Sequence, residues 1–310
     1  MNRFVGLFVI ERPRRLRTAF ALVAALAMHR AAFGENVCEA VNAQPLKVEN
    51  AQTYVYKSIG KADLRLHIFT PKDLRPSDRR AAIVFFFGGG WISGTVEQFV
   101  PQAHYLARRG MVAAVADYRV LCRQHSTPFD SVADARAAIR WLRTHAAELG
   151  IDPERIAAGG GSAGGHLALS SGVFAGHEVS SVSSKPNALV LFNPVIDVTR
   201  DDDLPFFGPP LVKGAAAISP FQHVHNGLPS MLILTGKADT DTPYATAEKY
   251  CSAAVAMGDD CRLVGYDDAK HGFFNPEVEG GRWYRSTLLE ADRFLTSIGY
   301  LPIPASSEIP

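Results

Sequence analysis

Gly159-Gly160-Gly161-Ser162-Ala163-Gly164-Gly165-His166 decides how this chain is read. The short stretch Arg155–Ala158 before it reads as a strand, and the apolar run Ala163–Gly172 after it reads as a helix. The octet contains Gly160-x-Ser162-x-Gly164. A serine on a sharp strand-to-helix turn takes a strained backbone. Strand and helix approach so closely there that the positions two before and two after it must lack bulk. Gly160 and Gly164 meet that need. Ser162 then stands above the sheet as a nucleophile, and the Ala163 N–H and the helix N-terminus face a carbonyl oxygen as it gains charge. A phosphate-binding loop is the other use of glycines after a strand, but neither GxxxxGK[ST] nor GxGxxG fits here.

Working outward, Ala82–Phe87 is a short apolar strand that runs into Gly88-Gly89-Gly90-Trp91. Such glycines leave backbone N–H groups exposed and adjustable, as an oxyanion cradle requires; a plain tight turn is the alternative. Trp91 is expected to pack under this loop or to line an acyl pocket. Thr53–Ile59 and Leu64–Phe69 alternate apolar and polar residues around Gly60, the pattern of a hairpin. Met111–Ala116, Ala188–Phe192, Ser230–Thr235 and Cys261–Tyr266 read as further strands. Phe99–Arg109, Asp130–Leu149, Tyr244–Met257 and Trp283–Ile298 read as helices, with Gly150 ending the second. The alternation predicts an α/β fold: a mostly parallel sheet with helices on both faces and an antiparallel N-terminal edge. The segment Asp197–Leu228, rich in Pro, Gly, Asp and His, reads as a small cap or loop, too short for a large lid. Ligands in such sheets sit at the carboxyl ends of the strands.

The base should therefore follow a strand. His271, in Lys270-His271-Gly272-Phe273-Phe274-Asn275 after Cys261–Tyr266, has a glycine beside it that lets the loop aim an imidazole at Ser162. A histidine's ordinary pKa, about 6.5, suits it to take the serine proton and return it to a leaving group. His166, one helical turn past Ser162, is the rival in sequence, and His223 and His225 lie in the irregular segment. For the acid, Ser230–Thr235 leads into Gly236-Lys237-Ala238-Asp239-Thr240-Asp241. Asp239 and Asp241 are the candidates, Asp241 having N-capping of the next helix as its other role; Asp197 is a third. The order Ser, Asp, His along the chain is the order of a strand–turn–helix nucleophile fold.

Composition narrows the field. The 310 residues carry a formal charge of +1, with 47% hydrophobic and 20% charged residues, which is globular composition. Residues 1–34 read as a secretory signal peptide: Arg12, Arg14, Arg15 and Arg17 precede the apolar run Ala19–Met28, and Ala31, Ala32 and Gly34 follow. A mitochondrial-type presequence is the alternative. The expected location is secreted or periplasmic. The apolar run is about half a membrane span, so stable membrane insertion is not expected. Those residues hold six Arg and one Glu, so without them the charge passes from +1 to −4. A slightly acidic chain with no basic run has no pull on nucleic acid. With no repeat or linker, residues 35–300 read as one catalytic domain and 301–310 as a loose tail. Cys38, Cys122, Cys251 and Cys261 show no zinc-ligand spacing; in an exported protein Cys251 and Cys261, near in sequence, are the first candidates for a disulfide, with four buried thiols as the alternative. Nothing in the pattern assigns an oligomeric state.

The string Phe87-Gly88-Gly89-Gly90-Trp91 followed by Gly160-Gly161-Ser162-Ala163-Gly164-Gly165-His166 resembles the α/β-hydrolase fold. Within it, the chain is similar to the hormone-sensitive-lipase-like and acetyl-xylan or feruloyl esterase-like carboxylesterases, over about residues 50 to 300 and including Asp117-Tyr118-Arg119. The resemblance implies an eight-stranded sheet with a small cap or none, and a Ser-His-Asp esterase that needs no cofactor and no metal. It implies a triad of Ser162, His271 and Asp239, the aspartate matching the family's Gly-x-x-Asp placement, and oxyanion donors at Gly89, Gly90 and Ala163. One position departs: the family carries a histidine, which braces the glycine loop, where this chain has Phe87. The shortness of Asp197–Leu228 points to soluble or short-chain acyl esters, and the resemblance implies acetylated polysaccharide as the substrate class; Phe206, Phe207, Phe273, Phe274 and Trp91 are candidate pocket walls, with the core as the alternative place for the phenylalanines. A peptidase or amidase on the same fold, and a non-catalytic binding module, are the competing readings. The absence of a propeller-like gate in the sequence weighs against the first, and the intact triad against the second.

Overall fold

Either side of Gly60 the alternating pattern folds as the hairpin of β1 (Gln52–Ile59) and β2 (Ala62–Phe69) in a computed structural model of the chain. That structure describes residue 38 and residues 43–75, 77–174, 181–199 and 214–303. The chain divides into two units, Met1–Ala40 and Val41–Pro310, and every element below belongs to the second. The expected signal peptide over 1–34, residues 200–213 of the expected cap with Phe206 and Phe207, and the tail from 304 onward lie outside the described residues.

Six further strands complete the sheet: β3 (Arg80–Phe86), β4 (Val112–Ala116), β5 (Ile151–Gly161), β6 (Ala188–Phe192), β7 (Ser230–Gly236) and β8 (Cys261–Tyr266). Their order is β1-β2-β4-β3-β5-β6-β7-β8. β1 pairs antiparallel with β2, and β2 with β4, while β3 to β8 are mutually parallel. This is the mostly parallel, eight-stranded α/β architecture with an antiparallel N-terminal edge that the pattern predicts. The central strands are apolar runs rather than alternations because helices cover them on both sides; β4 and β6 are buried at every position.

The helices are α1 (Val100–Arg108), the single turn α2 (Leu121–Gln124), α3 (Pro128–Thr144), α4 (Ala163–Val173), α5 (Tyr244–Ala256) and α6 (Tyr284–Ser297). Right-handed crossovers decide their faces. The step from β3 to β4 runs one way along the sheet, and the steps from β4 to β5, β5 to β6 and β7 to β8 run the other. So α1 lies on one face and α3, α4 and α5 on the opposite one. On the first face α6 joins α1: Tyr105 Oη and Arg109 Nε donate to the Asp292 carboxylate at 2.9 and 2.6 Å.

Helix α3 departs from expectation at both ends. It starts two residues early because Thr127 forms a capping box with Asp130 and Pro128 fills the first helical position. It stops at Thr144 rather than Leu149. The His145 ring stacks on Trp141 at 4.0 Å, and the chain then turns through Gly150, φ 65°, so that Ile151 can pair with Arg80 at the start of β5. Asp134 of α3, fully buried, receives Arg119 Nε at 2.7 Å and Lys57 Nζ at 2.5 Å, tying the end of β4 and the β1 edge to this helix. Cys251 of α5 is joined to Cys261 of β8, the first candidate pair.

Candidate active site

Ser162 is the single residue between β5 and α4, at φ 53° and ψ −121°. A non-glycine residue in this region costs about 1–3 kcal/mol and persists only where its surroundings hold it. Here they do: Ser162 N–H donates to Phe192 O at 3.0 Å, and Ser162 O accepts from His166 N at 3.0 Å and Val195 N at 3.2 Å. The flanking glycines are steric necessities. A Cβ on Gly160 would stand 2.5 Å from the carbonyl oxygens of Gly164 and Phe86, and one on Gly164 would strike the carbonyl oxygens of Phe86 and Phe87. All of these are backbone atoms that cannot swing aside.

The glycine loop after β3 lies directly against this turn. A Cβ on Gly88 would meet Ser162 Cβ at 3.3 Å. Gly89 sits at φ 121°, where only glycine is at ease, and its carbonyl accepts from Ile92 N and Ser93 N at 3.0 and 3.1 Å. The N–H groups of Gly89, Gly90 and Ala163 have no acceptor among the described residues. Phe87, in place of the family's histidine, does not hydrogen-bond through its side chain. Its ring stacks on Tyr118 at 4.1 Å, with the Arg123 guanidinium 5.7 Å from its centroid, and Tyr118 Oη donates to Phe87 O at 2.7 Å. The bracing hydrogen bonds come from elsewhere: Gln98 Oε1 accepts from Gly88 N at 2.7 Å, and Arg123 Nη1 donates to Gly94 O at 2.7 Å. Asp117, whose carboxyl burial pushes up to about 7 against the pull of Arg123, accepts from Tyr118 N at 2.8 Å and sets the entry to this stack.

His271, in the loop after β8, places Nε2 2.9 Å from Ser162 Oγ and Nδ1 2.9 Å from Asp239 Oδ2. Asp239, in the loop after β7, is 5% exposed. Its Oδ1 accepts from the N–H groups of Asp241 and Thr242, each at 2.9 Å, and its Oδ2 from Thr242 Oγ1 at 2.8 Å. Burial pushes the carboxyl up, but hydrogen bonds from His271 and Thr242 outweigh it and hold the group below the ordinary aspartate value. It is thus a fixed carboxylate behind the imidazole.

The rivals are placed elsewhere. Asp241 exposes its carboxylate and contributes its N–H to Asp239; it does not cap α5, whose N-cap is Pro243 without a side-chain bond. Asp197 Oδ1 accepts from Thr199 N, Thr199 Oγ1 and Ser219 Oγ at 2.9, 2.6 and 3.0 Å. His166 is fully buried, with Nε2 2.7 Å from Ile218 O and its ring edge-on to Trp91; burial lowers its pKa to about 4, so it is neutral. His223 and His225 bond to the carbonyls of Ala216 and Val173. Trp91 and Phe273 are buried, and Phe274 packs on Phe99 and Phe192, so all three belong to the core and not to a pocket wall. Asp239, Asp241 and His271 also have donor atoms within 4.8 Å of one another, but Nδ1 and Oδ2 are already engaged with each other. Three site residues escaped the sequence reading: Gln98, Thr242 and Asn193, the last fully buried beside His271. The Asn193-Pro194 pair after a strand was the one available signal.

The family model BD-FAE matches residues 66–205. Carboxylesterase NlhH of Mycobacterium tuberculosis is 38% identical over 110 residues, covering 35% of this chain and 33% of that protein. LipM of the same species, a probable carboxylic ester hydrolase, is 28% identical over 215 residues, 63% of this chain and 49% of its own. The chain thus spans between a third and a half of the length of these relatives. Among solved structures, the propionate-bound esterase Est2 of Thermogutta terrifontis is 45% identical, with a TM-score of 0.77 over 83% of this chain and 97% of that one. The same esterase phosphorylated by paraoxon matches at 45% identity, 83% of this chain, 98% of that one and a TM-score of 0.77. A likeness of this extent in sequence, carried on a shared sheet, means that the chain belongs to the α/β-hydrolase serine esterases of the hormone-sensitive-lipase-like type.

Proposed function

We propose that the protein is a carboxylesterase acting on short-chain acyl esters, with Ser162 as nucleophile, His271 as base, Asp239 as its orienting acid and the N–H groups of Gly89, Gly90 and Ala163 as the oxyanion hole. The observation that carries this is the continuous line from Asp239 Oδ2 through the imidazole to Ser162 Oγ, with 2.9 Å at each contact. His271 takes the Ser162 proton as Oγ adds to the ester carbonyl. The negative oxygen of the tetrahedral intermediate meets the unpaired amides, each such donor contributing about 3–4 kcal/mol to lowering the barrier. The imidazolium, stabilised by the Asp239 carboxylate, protonates the departing alkoxide. Water then adds to the acyl-enzyme with the same base, and Ser162 regains its proton as the acid leaves.

The preference for short acyl chains is supported by the propionate and butyrate found in the related Est2 structures. Export is part of the same proposal, supported by the arginine-rich, apolar and small-residue order of residues 1–34; N-terminal sequencing of the mature protein tests it. Ser162→Ala should lower turnover of p-nitrophenyl butyrate by several orders of magnitude and abolish labelling by a fluorophosphonate probe. Wild-type-like turnover in that variant would overturn the assignment. An acyl-length series beside acetylated xylan, and a matched ester and amide pair, separate the polysaccharide and peptidase readings.

A further inference from the structure

Asn193 closes β6 at φ 33°, a left-handed conformation that asparagine tolerates better than most residues, and it is 0% exposed. Its polar groups converge on the loops that carry the base and the acid. Asn193 N–H donates to Leu234 O at 2.7 Å, and Thr242 Oγ1, whose proton goes to Asp239 Oδ2, lies 3.3 Å from Asn193 O. Asn193 Oδ1 accepts from Gly272 N at 3.3 Å. A backbone N–H can only donate, so this contact fixes which end of the amide faces Gly272. The NH2 end is left facing His271, 3.5 Å from both Nδ1 and Nε2. Each ring nitrogen already has a partner at 2.9 Å. An atom equally distant from both therefore approaches across the ring face and not along either lone pair.

We infer that Asn193 is a positioning residue for the base: clamped by the Gly272 N–H, its amide lies on the imidazole face and holds the ring in line between Ser162 and Asp239. The other groups facing the imidazole are the Asp239 and Asp241 carboxylates from the β7–α5 loop, the Thr242 hydroxyl and the Ser162 hydroxyl from the nucleophile turn. From the end of β6 the group is Asn193. The inference rests on the esterase reading and deepens it.

Two substitutions separate positioning from bulk structure. Asn193→Gly removes the amide and adopts φ 33° without strain. It should lower kcat on p-nitrophenyl butyrate about 10- to 100-fold with KM within about threefold. Asn193→Asp keeps an acceptor for Gly272 N–H but sets a carboxylate against the ring. It should move the acid limb of kcat/KM up by about one pH unit. A merely structural asparagine would lower the melting temperature and leave that limb in place. The inference is overturned if Asn193→Gly keeps kcat within about twofold of wild type, or if the acid limb of Asn193→Asp coincides with wild type. Should Asn193→Gly fail to fold, the pH profile of Asn193→Asp decides alone. A wild-type protein inactive on esters sinks the esterase reading itself; an active wild type with silent Asn193 variants sinks this inference only.

Discussion

Replacing Gln98 by leucine tests how the glycine loop is held without the family's histidine. Gln98 Oε1 accepts from Gly88 N at 2.7 Å, and Gly88 packs on the nucleophile, a Cβ there lying 3.3 Å from Ser162 Cβ. Leucine keeps most of the volume and removes the acceptor. A buried amide left without a partner costs about 1–3 kcal/mol, and the loop relieves that cost by turning the Gly88 N–H toward another acceptor. Gly89 and Gly90 are next along the chain and turn with it. Complete loss of one oxyanion donor costs about 3–4 kcal/mol. A partial misaim of two adjacent donors should cost about 1.5–3 kcal/mol, or a kcat about 10- to 100-fold lower. KM should change little, because the donors engage the oxygen mainly once it is charged. The assay is steady-state kinetics on p-nitrophenyl butyrate, with thermal unfolding as a check that the fold survives. A folded variant with kcat within about twofold of wild type refutes the reasoning. The Phe87–Tyr118 stack and the Arg123 bond to Gly94 would then be sufficient support.

Gly160→Ala should be severely destabilising and inactive, because its Cβ meets backbone oxygens of Gly164 and Phe86 at 2.5 Å and overpacking of that kind costs about 1–3 kcal/mol or more; an unchanged melting temperature with full activity would contradict the crowded-turn account. Acid should weaken the fold through two histidines. Burial, helped by Arg65, lowers His67 to about 4, and burial lowers His166 to about 4 against its bond to Ile218 O. Unfolded, each binds a proton near the ordinary 6.5. Between about 6.5 and 4 the unfolded state therefore holds more protons, and stability falls as pH drops through that window. Urea unfolding across it should show the decline, and His166→Gln should shrink it; a profile that is flat, or identical in the variant, counts against the buried neutral ring.

The nucleophile turn was legible from a few consecutive residues because its constraint is local: a strained serine between strand and helix demands Gly160 and Gly164 whatever surrounds them. Ala188–Phe192 was legible to the residue, since a fully covered parallel strand is apolar throughout and ends where polarity returns. His271 followed from a glycine beside it and a strand before it. The amino-acid pattern alone thus determined the fold class and singled out Ser162 and His271, which the fold brings to 2.9 Å from each other. Tertiary structure decided what depends on partners far along the chain. Asp239 prevailed over Asp241 because the turn buries one carboxylate against the imidazole Nδ1, while the other stays exposed near the ring without bonding to it. Helix α3 ended at Thr144 because β5 had to begin at Ile151 to meet Arg80. Phe273 and Phe274, which the pattern left open between pocket wall and core, are core because Phe274 closes on Gly161, Phe99 and Phe192. Gln98 and Asn193 acquire meaning only from the Gly88 amide and the His271 ring that they touch. Periodicity records which face of an element is buried; it carries no record of which distant polar atom a side chain will meet there.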